Sequence, residues 1–201
     1  SVTFAGRVAQ NALFSPAATL TVEANKIAYA NNASIASLKT ELTADGSDSA
    51  TLVVSLADQY GNRITRGDFT VSLSASTGNL VGASMTFNPV TLQYEQLVIA
   101  PKQVGTGFMT VRIASITAGA GVVGVPDDKA TIITLKPGPV SIERSTLTIP
   151  NKVVNTASLQ QDVTLQLLDA NGNPVSLDGL TATGSVSALT GTQHGAFAAD
   201  A

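Results

Sequence analysis

Ser55-Leu56-Ala57-Asp58-Gln59-Tyr60-Gly61-Asn62-Arg63-Ile64 and Gln166-Leu167-Leu168-Asp169-Ala170-Asn171-Gly172-Asn173-Pro174-Val175 follow one pattern: an apolar run, Asp-x-x-Gly-Asn, then a second apolar run. The two Asp residues stand 111 positions apart. Glycine takes a positive φ without steric cost, and an Asp carboxylate accepts hydrogen bonds from backbone N–H groups a few residues on. The pattern therefore reads as a tight hairpin with a bulge, joining two alternating strands. On that reading Asp58, Gly61, Asp169 and Gly172 are structural residues, not ligands.

The flanking sequence supports strands. Ser and Thr make up about a fifth of the 201 residues, and Val, Ile and Leu are plentiful, a mixture that favours sheet over helix. In Phe69-Thr70-Val71-Ser72-Leu73-Ser74-Ala75, apolar and polar residues alternate, as they do in Val163-Thr164-Leu165-Gln166-Leu167, Met85-Thr86-Phe87 and Ala18-Thr19-Leu20-Thr21-Val22. Such strands have one dry and one wet face. Thr51 to Leu56, Leu97 to Ala100 and Phe108 to Ile113 are apolar on both faces, as expected of central strands. Turn signals fall between the runs at short intervals, among them Asp45-Gly46, Thr77-Gly78-Asn79, Asn88-Pro89 and Asp178-Gly179. The expected fold is an all-β sandwich with no room for crossover helices. One segment, Asn155 to Leu168, has helical features, but its β-branched content and the turn after it favour a strand.

A second match, Ala18-Thr19-Leu20-Thr21-Val22 with Ala130-Thr131-Ile132-Ile133-Thr134-Leu135, repeats at nearly the same period, and Glu41-Leu42-Thr43 and Thr146-Leu147-Thr148 sit in comparable places. Lys136-Pro137-Gly138-Pro139 is a short, stiff junction, and a less marked one lies at Glu23 to Lys26. The expected layout is residues 1–24 as closing strands of a preceding module or an N-terminal arm, 25–136 as one sandwich, 137–139 as the junction, and 140–201 as a second, shorter or incomplete module. Three explanations fit the short last module: a cut within it, a shorter variant domain, or completion by a strand from residues 1–24, given within the chain or between molecules.

Composition excludes several classes of function. Lys+Arg 11 against Asp+Glu 14 gives a net charge of -3, with 12% of residues charged, which provides no basic face for nucleic acid and no polybasic patch for lipid. No apolar run approaches the roughly 18 residues of a spanning helix. The absence of Cys removes disulfides, thiolate nucleophiles and Cys-based metal sites, and a single His removes His-pair metal sites. With 44% hydrophobic residues the chain has the means to bury a core.

From Leu42-Thr43-Ala44-Asp45-Gly46-Ser47-Asp48-Ser49-Ala50-Thr51-Leu52-Val53-Val54 through Asp58-Gln59-Tyr60-Gly61-Asn62-Arg63-Ile64, the chain resembles the bacterial immunoglobulin-like domains of the intimin/invasin type. Those domains read as an Ala-Asp-Gly turn, a strand beginning Ala-Thr, then Asp-x-x-Gly-Asn-Pro-Val and an alternating strand. The second copy keeps Pro174-Val175, where the first has Arg63-Ile64; the second lacks the Ala-Asp-Gly turn. The resemblance covers most of residues 37–80 and part of 160–176. It implies an all-β chain of tandem immunoglobulin-like β-sandwich modules, exported and disulfide-free, secreted or on the bacterial cell surface, stacked in a rod that presents a tip or binds another protein, and extends to export through an intimin-like secretion system.

The chemical candidates are few. His194, near the C-terminus among small residues, has no Gly-x-Ser-x-Gly elbow beside it and reads as a loop histidine. Asp45 with Asp48, and Asp127 with Asp128, are the close carboxylate pairs; neither has the spacing of a dedicated calcium loop, though calcium is the one cofactor left open. Ala118 to Gly124 is rich in glycine, yet no Lys-Ser/Thr follows it, so it reads as a hairpin or edge. Tyr60, Arg63 and Arg66 form one potential interface patch, and Tyr94 with Glu95 another; an ordinary polar rim is the alternative for each. No catalytic, cofactor-binding or metal residue is assigned. The expected function is non-catalytic association with a protein on a bacterial or host surface, including self-association, without nucleic acid binding or membrane insertion. A passive rod segment and a carbohydrate-binding accessory module are the alternatives, the latter disfavoured by the absence of Trp.

Overall fold

The computed structural model describes residues 26–118, 121–126, 128–149 and 163–176, together with the backbone of four short strands before them. Those four are β1 (Val2–Phe4), β2 (Arg7–Val8), β3 (Ala12–Leu13) and β4 (Ala18–Leu20). The chain divides into two compact units, Ser1–Lys136 and Pro137–Ala201.

In the first unit the chain continues through β5 (Ala28–Tyr29), a 3-10 turn at Ala30–Asn32, β6 (Ser34–Ser37), β7 (Glu41–Thr43), β8 (Ser49–Ser55) and β9 (Phe69–Ala75). There follow β10 (Asn79–Leu80), β11 (Thr86–Asn88), β12 (Gln93–Ile99), β13 (Phe108–Ala118), β14 (Val122–Val123) and β15 (Ala130–Lys136). Five strands make one sheet, ordered β10-β12-β8-β6 with β11 also on β12; four make the other, ordered β7-β15-β13-β9. Most pairings are antiparallel, but β15 runs parallel to β7 and β14 parallel to β5. The central strands are those whose sequence is apolar on both faces: β8 lies between β12 and β6, and β13 between β15 and β9.

The two sheets bury a single core. Ala50, Leu52 and Val54 of β8 stand opposite Val98, Gln96 and Tyr94 of β12, and all six are buried. Facing them are Phe69 and Val71 of β9, Met109, Val111, Ile113 and Ile116 of β13, Ile133 and Leu135 of β15, and Leu42 of β7. Ile113 and Ile116 are three residues apart and so would fall on opposite faces of a regular strand. A register shift between Ile113 and Ser115 turns both inward. Close approach between the layers requires Gly67, where a Cβ would lie 2.5 Å from the Phe87 ring.

The expected hairpin at Asp58 is corrected by this topology. β8 belongs to the five-stranded sheet and β9 to the four-stranded one, so the Asp-x-x-Gly-Asn segment starts the crossover between layers. It is closed by a single bridge, Ala57 opposite Arg63, and not by paired strands. Turn residues specify the local reversal; which sheet the next strand joins depends on where its apolar face finds cover.

In the second unit β16 (Thr146–Thr148) and β17 (Thr164–Gln166) form an antiparallel pair, with Leu147 opposite Leu165. Of the segment Asn155 to Leu168, Thr164–Gln166 is strand, as expected; residues 155–162 lie outside the described residues.

Candidate interaction surface and the paired Asp turns

The two Asp turns have the same geometry. Asp58 Oδ1 accepts from the backbone N–H of Tyr60 and of Asn62, each at 2.9 Å, and Oδ2 accepts from Asn62 Nδ2 at 3.1 Å. Asp169 Oδ1 accepts from the N–H of Asn171 and of Asn173, each at 2.8 Å, and Oδ2 from Asn173 Nδ2 at 2.9 Å. Gly61 and Gly172 sit at φ 82 and 83, where a side chain would be strained. The peptide before each turn is held alike: Tyr29 N–H donates to Ala57 O at 2.9 Å, and Ser141 N–H to Leu168 O at 2.7 Å. Both aspartates are buried, and Asp169 Oδ2 also accepts from Gly138 N–H, outside the turn, at 2.8 Å.

This geometry also corrects one element of the repeat. β16 pairs with β17 as β6 pairs with β8, so Thr146-Leu147-Thr148 is the counterpart of β6 and not of Glu41-Leu42-Thr43, which pairs with β15.

Asp169 is held ionised. Burial opposes its charge, but bonds from the Asn173 side chain and from the N–H groups of Gly138, Asn173 and Asn171 outweigh burial and keep the carboxyl below the usual range. Its folded pKa is therefore lower than its unfolded pKa, so the stabilisation is present above about pH 4 and is lost as pH falls through the folded value. The stability difference between wild type and Asp169→Asn in the second unit should shrink on acidification below about pH 4. Amide chemical shifts of Gly172 followed against pH and denaturant report it. A difference that stays constant into strong acid would contradict this account.

The remaining sequence candidates are dispersed. Asp45 Oδ1 accepts from the N–H groups of Ser47 and Asp48, both at 2.7 Å, which hold its carboxyl below the usual range. Asp48 is likewise lowered, first by Lys39, whose ammonium donates to Oδ1 at 2.5 Å, and then by the N–H of Thr43. These carboxylates cap a turn. Among the described residues no three metal-ligating side chains gather in one place. Asp128 stands 3.9 Å from Lys129; Asp127 and His194 lie outside the described residues. In the glycine-rich stretch, Val122–Val123 is β14, and residues 119–120 lie outside the described residues.

Neither of the two potential interface patches holds together, in keeping with the polar-rim alternative. Tyr94 is core: its hydroxyl donates to Arg66 O at 3.0 Å and accepts from Phe69 N–H at 3.1 Å, and its ring packs on Phe87. Arg63 donates to the carbonyls of Thr91 and Leu92 at 2.6 and 2.8 Å, pinning a turn in which Leu92 adopts φ 56. Arg66 donates to Lys26 O, pairs with Asp68 and lies over the Phe69 ring. Tyr60 of the first patch is 77% exposed.

What the module does expose is apolar side chains on the outer faces of its sheets. Phe108 and Ile132 are exposed diagonal neighbours on β13 and β15 of the four-stranded sheet, and Leu97 is exposed on β12 of the five-stranded one. Phe108 and Leu97 belong to segments that the sequence places in central strands, and β13 and β12 do each lie between two neighbours. A shallow open depression of about 480 Å³ beside β7 is lined by Leu38, Thr40 and the ion pairs Lys39–Asp48 and Lys136–Glu41. It brings together no base and nucleophile. Among the described residues, no helix is long and apolar enough to cross a membrane.

Two facing sheets joined by an inter-layer crossover built on a buried Asp define an immunoglobulin-like β-sandwich of the invasin type. In structure the chain is similar to invasin, a bacterial integrin-binding protein, with a TM-score of 0.55 and 18% identity over 77% of this chain and 29% of that one. It is likewise similar to the Escherichia coli adhesin FdeC (TM-score 0.54, 22% identity, 87% and 52% coverage) and to InvD of Yersinia pseudotuberculosis (0.51, 23%, 72% and 39%). In sequence it is 31% identical over 134 residues to S-layer protein B of Metallosphaera sedula, a match covering 63% of this chain. The chain spans about a third of the length of that relative, 32%. No profile of a known protein family matches the chain.

Proposed function

We propose that this chain is part of a non-catalytic, exported cell-surface protein built from tandem immunoglobulin-like modules, whose work is association with another protein. The observation that carries the reading is the sequence similarity to S-layer protein B, falling on a chain with the invasin-type fold. The domain layout is part of the same proposal: closing strands at 1–24, a full module at 25–136, a junction at 137–139 and a second module from 140. Near-identical Asp turns on either side of that junction support it. Flat layers with scattered exposed apolar side chains suit a partner with an extended surface better than a small substrate.

Antibodies against residues 25–136, applied with gold particles to intact cells that make the protein, test the location. Labelling of unpermeabilised cells is the expected result, and labelling only after permeabilisation would overturn the proposal. Capture of surface proteins on the immobilised chain tests association; an inert monomer would favour the passive rod segment instead.

A further inference from the structure

The two Asp turns share their backbone hydrogen bonds but differ in the residue before the glycine. Tyr60 precedes Gly61 in the first unit, and Asn171 precedes Gly172 in the second. Asn171-Gly172 is the one Asn-Gly pair in the 201 residues. In such a pair the asparagine side chain reacts with its own backbone, because the glycine nitrogen has no neighbouring Cβ to shield it. That nitrogen loses its proton and attacks the asparagine Cγ. The Cγ–Nδ2 bond breaks, ammonia departs, and a five-membered succinimide remains. Water then opens the ring at either carbonyl. One product is aspartate; the other is isoaspartate, whose main chain runs through Cβ and Cγ. Water replaces ammonia, with no change of oxidation state and no enzyme.

The closed turn opposes the first step. Gly172 N–H, whose nitrogen is the nucleophile, donates to Asp169 O at 3.0 Å. The N–H groups on either side of it, those of Asn171 and Asn173, are both tied to Asp169 Oδ1 at 2.8 Å. Asp169 is itself buried and held from outside the turn by Gly138 N–H at 2.8 Å. For attack, Gly172 N must lose the proton that it donates to Asp169 O, and its peptide must be free to turn toward Cγ. Three bonds to one buried residue hold that peptide in place, so reaction waits for local opening.

We propose that Asn171 is a self-modification site that records opening of the second unit: it is preserved while the Asp169 turn is closed and becomes aspartate or isoaspartate once the turn opens. The change is one-way, because the ammonia is lost. Isoaspartate lengthens the backbone between the two N–H groups that Asp169 Oδ1 receives, and either product sets a second carboxylate two residues from that of Asp169. A turn that has reacted therefore recloses less readily than one that has not. Tyr60 has no such chemistry at the equivalent place, so the record belongs to the second unit.

The full chain is kept in mildly alkaline buffer, sampled over time, digested and mapped by mass spectrometry. Exchange of the amide for a carboxylate is read as a mass gain on the fragment that holds Asn171. A synthetic peptide of residues 166–175 is the unfolded reference. Conversion in the wild-type chain should be at least about tenfold slower than in the peptide, because it needs the opened turn. D169A should bring the rate to that of the peptide. Since D169A can unfold the whole second unit, a second pair of variants repeats the test in the first. Y60N puts an asparagine before Gly61 in the intact Asp58 turn and should convert there as slowly as Asn171 does; Y60N with D58A should convert fast. A wild-type chain less than about tenfold slower than the peptide, variants lacking the aspartate that react no faster than their parents, or a peptide that does not convert would each overturn the proposal. Its failure would leave the proposed location and association untouched, since neither depends on Asn171.

Discussion

Asp58→Ala should lower the stability of the first unit by about 3 kcal/mol, seen as a fall of about 10 °C or more in its thermal midpoint. The carboxylate accepts from two backbone N–H groups and from the Asn62 amide within a buried turn. Bonds to a charged acceptor contribute about 1.5–3 kcal/mol each, and alanine leaves both backbone donors without it. Asp58→Asn should cost less. Its carbonyl oxygen still meets the two N–H groups, but its amide then faces the Asn62 amide, donor against donor. Differential scanning calorimetry on the full chain checks both variants, because the second unit carries its own turn at Asp169 and provides an internal reference. An unchanged midpoint in Asp58→Ala would mean that this turn does not hold the crossover.

The second large effect is expected at Tyr94. This side chain reaches from β12 of one layer to the entry of β9 in the other, where its hydroxyl serves both Arg66 O and Phe69 N–H. Tyr94→Phe keeps the ring and its packing on Phe87 at 5.2 Å but strands a carbonyl and an amide, at a cost of about 1–2 kcal/mol. Tyr94→Ala also opens a cavity in the core and should cost about 3–5 kcal/mol. Burial pushes the phenol above its ordinary pKa of 10.0. The stabilisation is therefore fully present below the unfolded value and is lost as pH rises through the higher folded one. Urea unfolding at neutral and strongly alkaline pH separates the two variants from wild type; a Tyr94→Phe chain as stable as wild type would remove the hydroxyl from this account.

The same residue marks where sequence reading stops. The layered β architecture is legible because alternation in segments such as Phe69 to Ala75 reports one buried face per strand, and central strands announce themselves by two. The Asp turns are legible because their chemistry is local: one carboxylate, one positive-φ glycine and the N–H groups between them. Tyr94 beside Glu95 looks like a surface pair, and only the opposite layer, contributed by residues 25 positions earlier, buries it. Arg63 and Arg66 read as part of an interface patch or a polar rim for the same reason. Their carbonyl partners at Thr91, Leu92 and Lys26 are brought close by the sandwich and leave no trace in neighbouring sequence. The counterpart of β6 in the second unit was misassigned because three-residue strands carry too little pattern to fix a register without the pairing itself.

The parallel ladder between β7 and β15 has a mechanical consequence. Glu41, Leu42 and Thr43 stand opposite Thr134, Leu135 and Lys136, and the Lys136 ammonium reaches Glu41 at 2.7 Å. A pull on the polypeptide beyond Lys136 drags β15 along its own axis, while resistance from the upstream side drags β7 the opposite way. The two strands are then loaded in shear, and their hydrogen bonds must fail together instead of peeling apart one by one like a zipper. A domain wired in this manner yields slowly under sustained tension along the polypeptide.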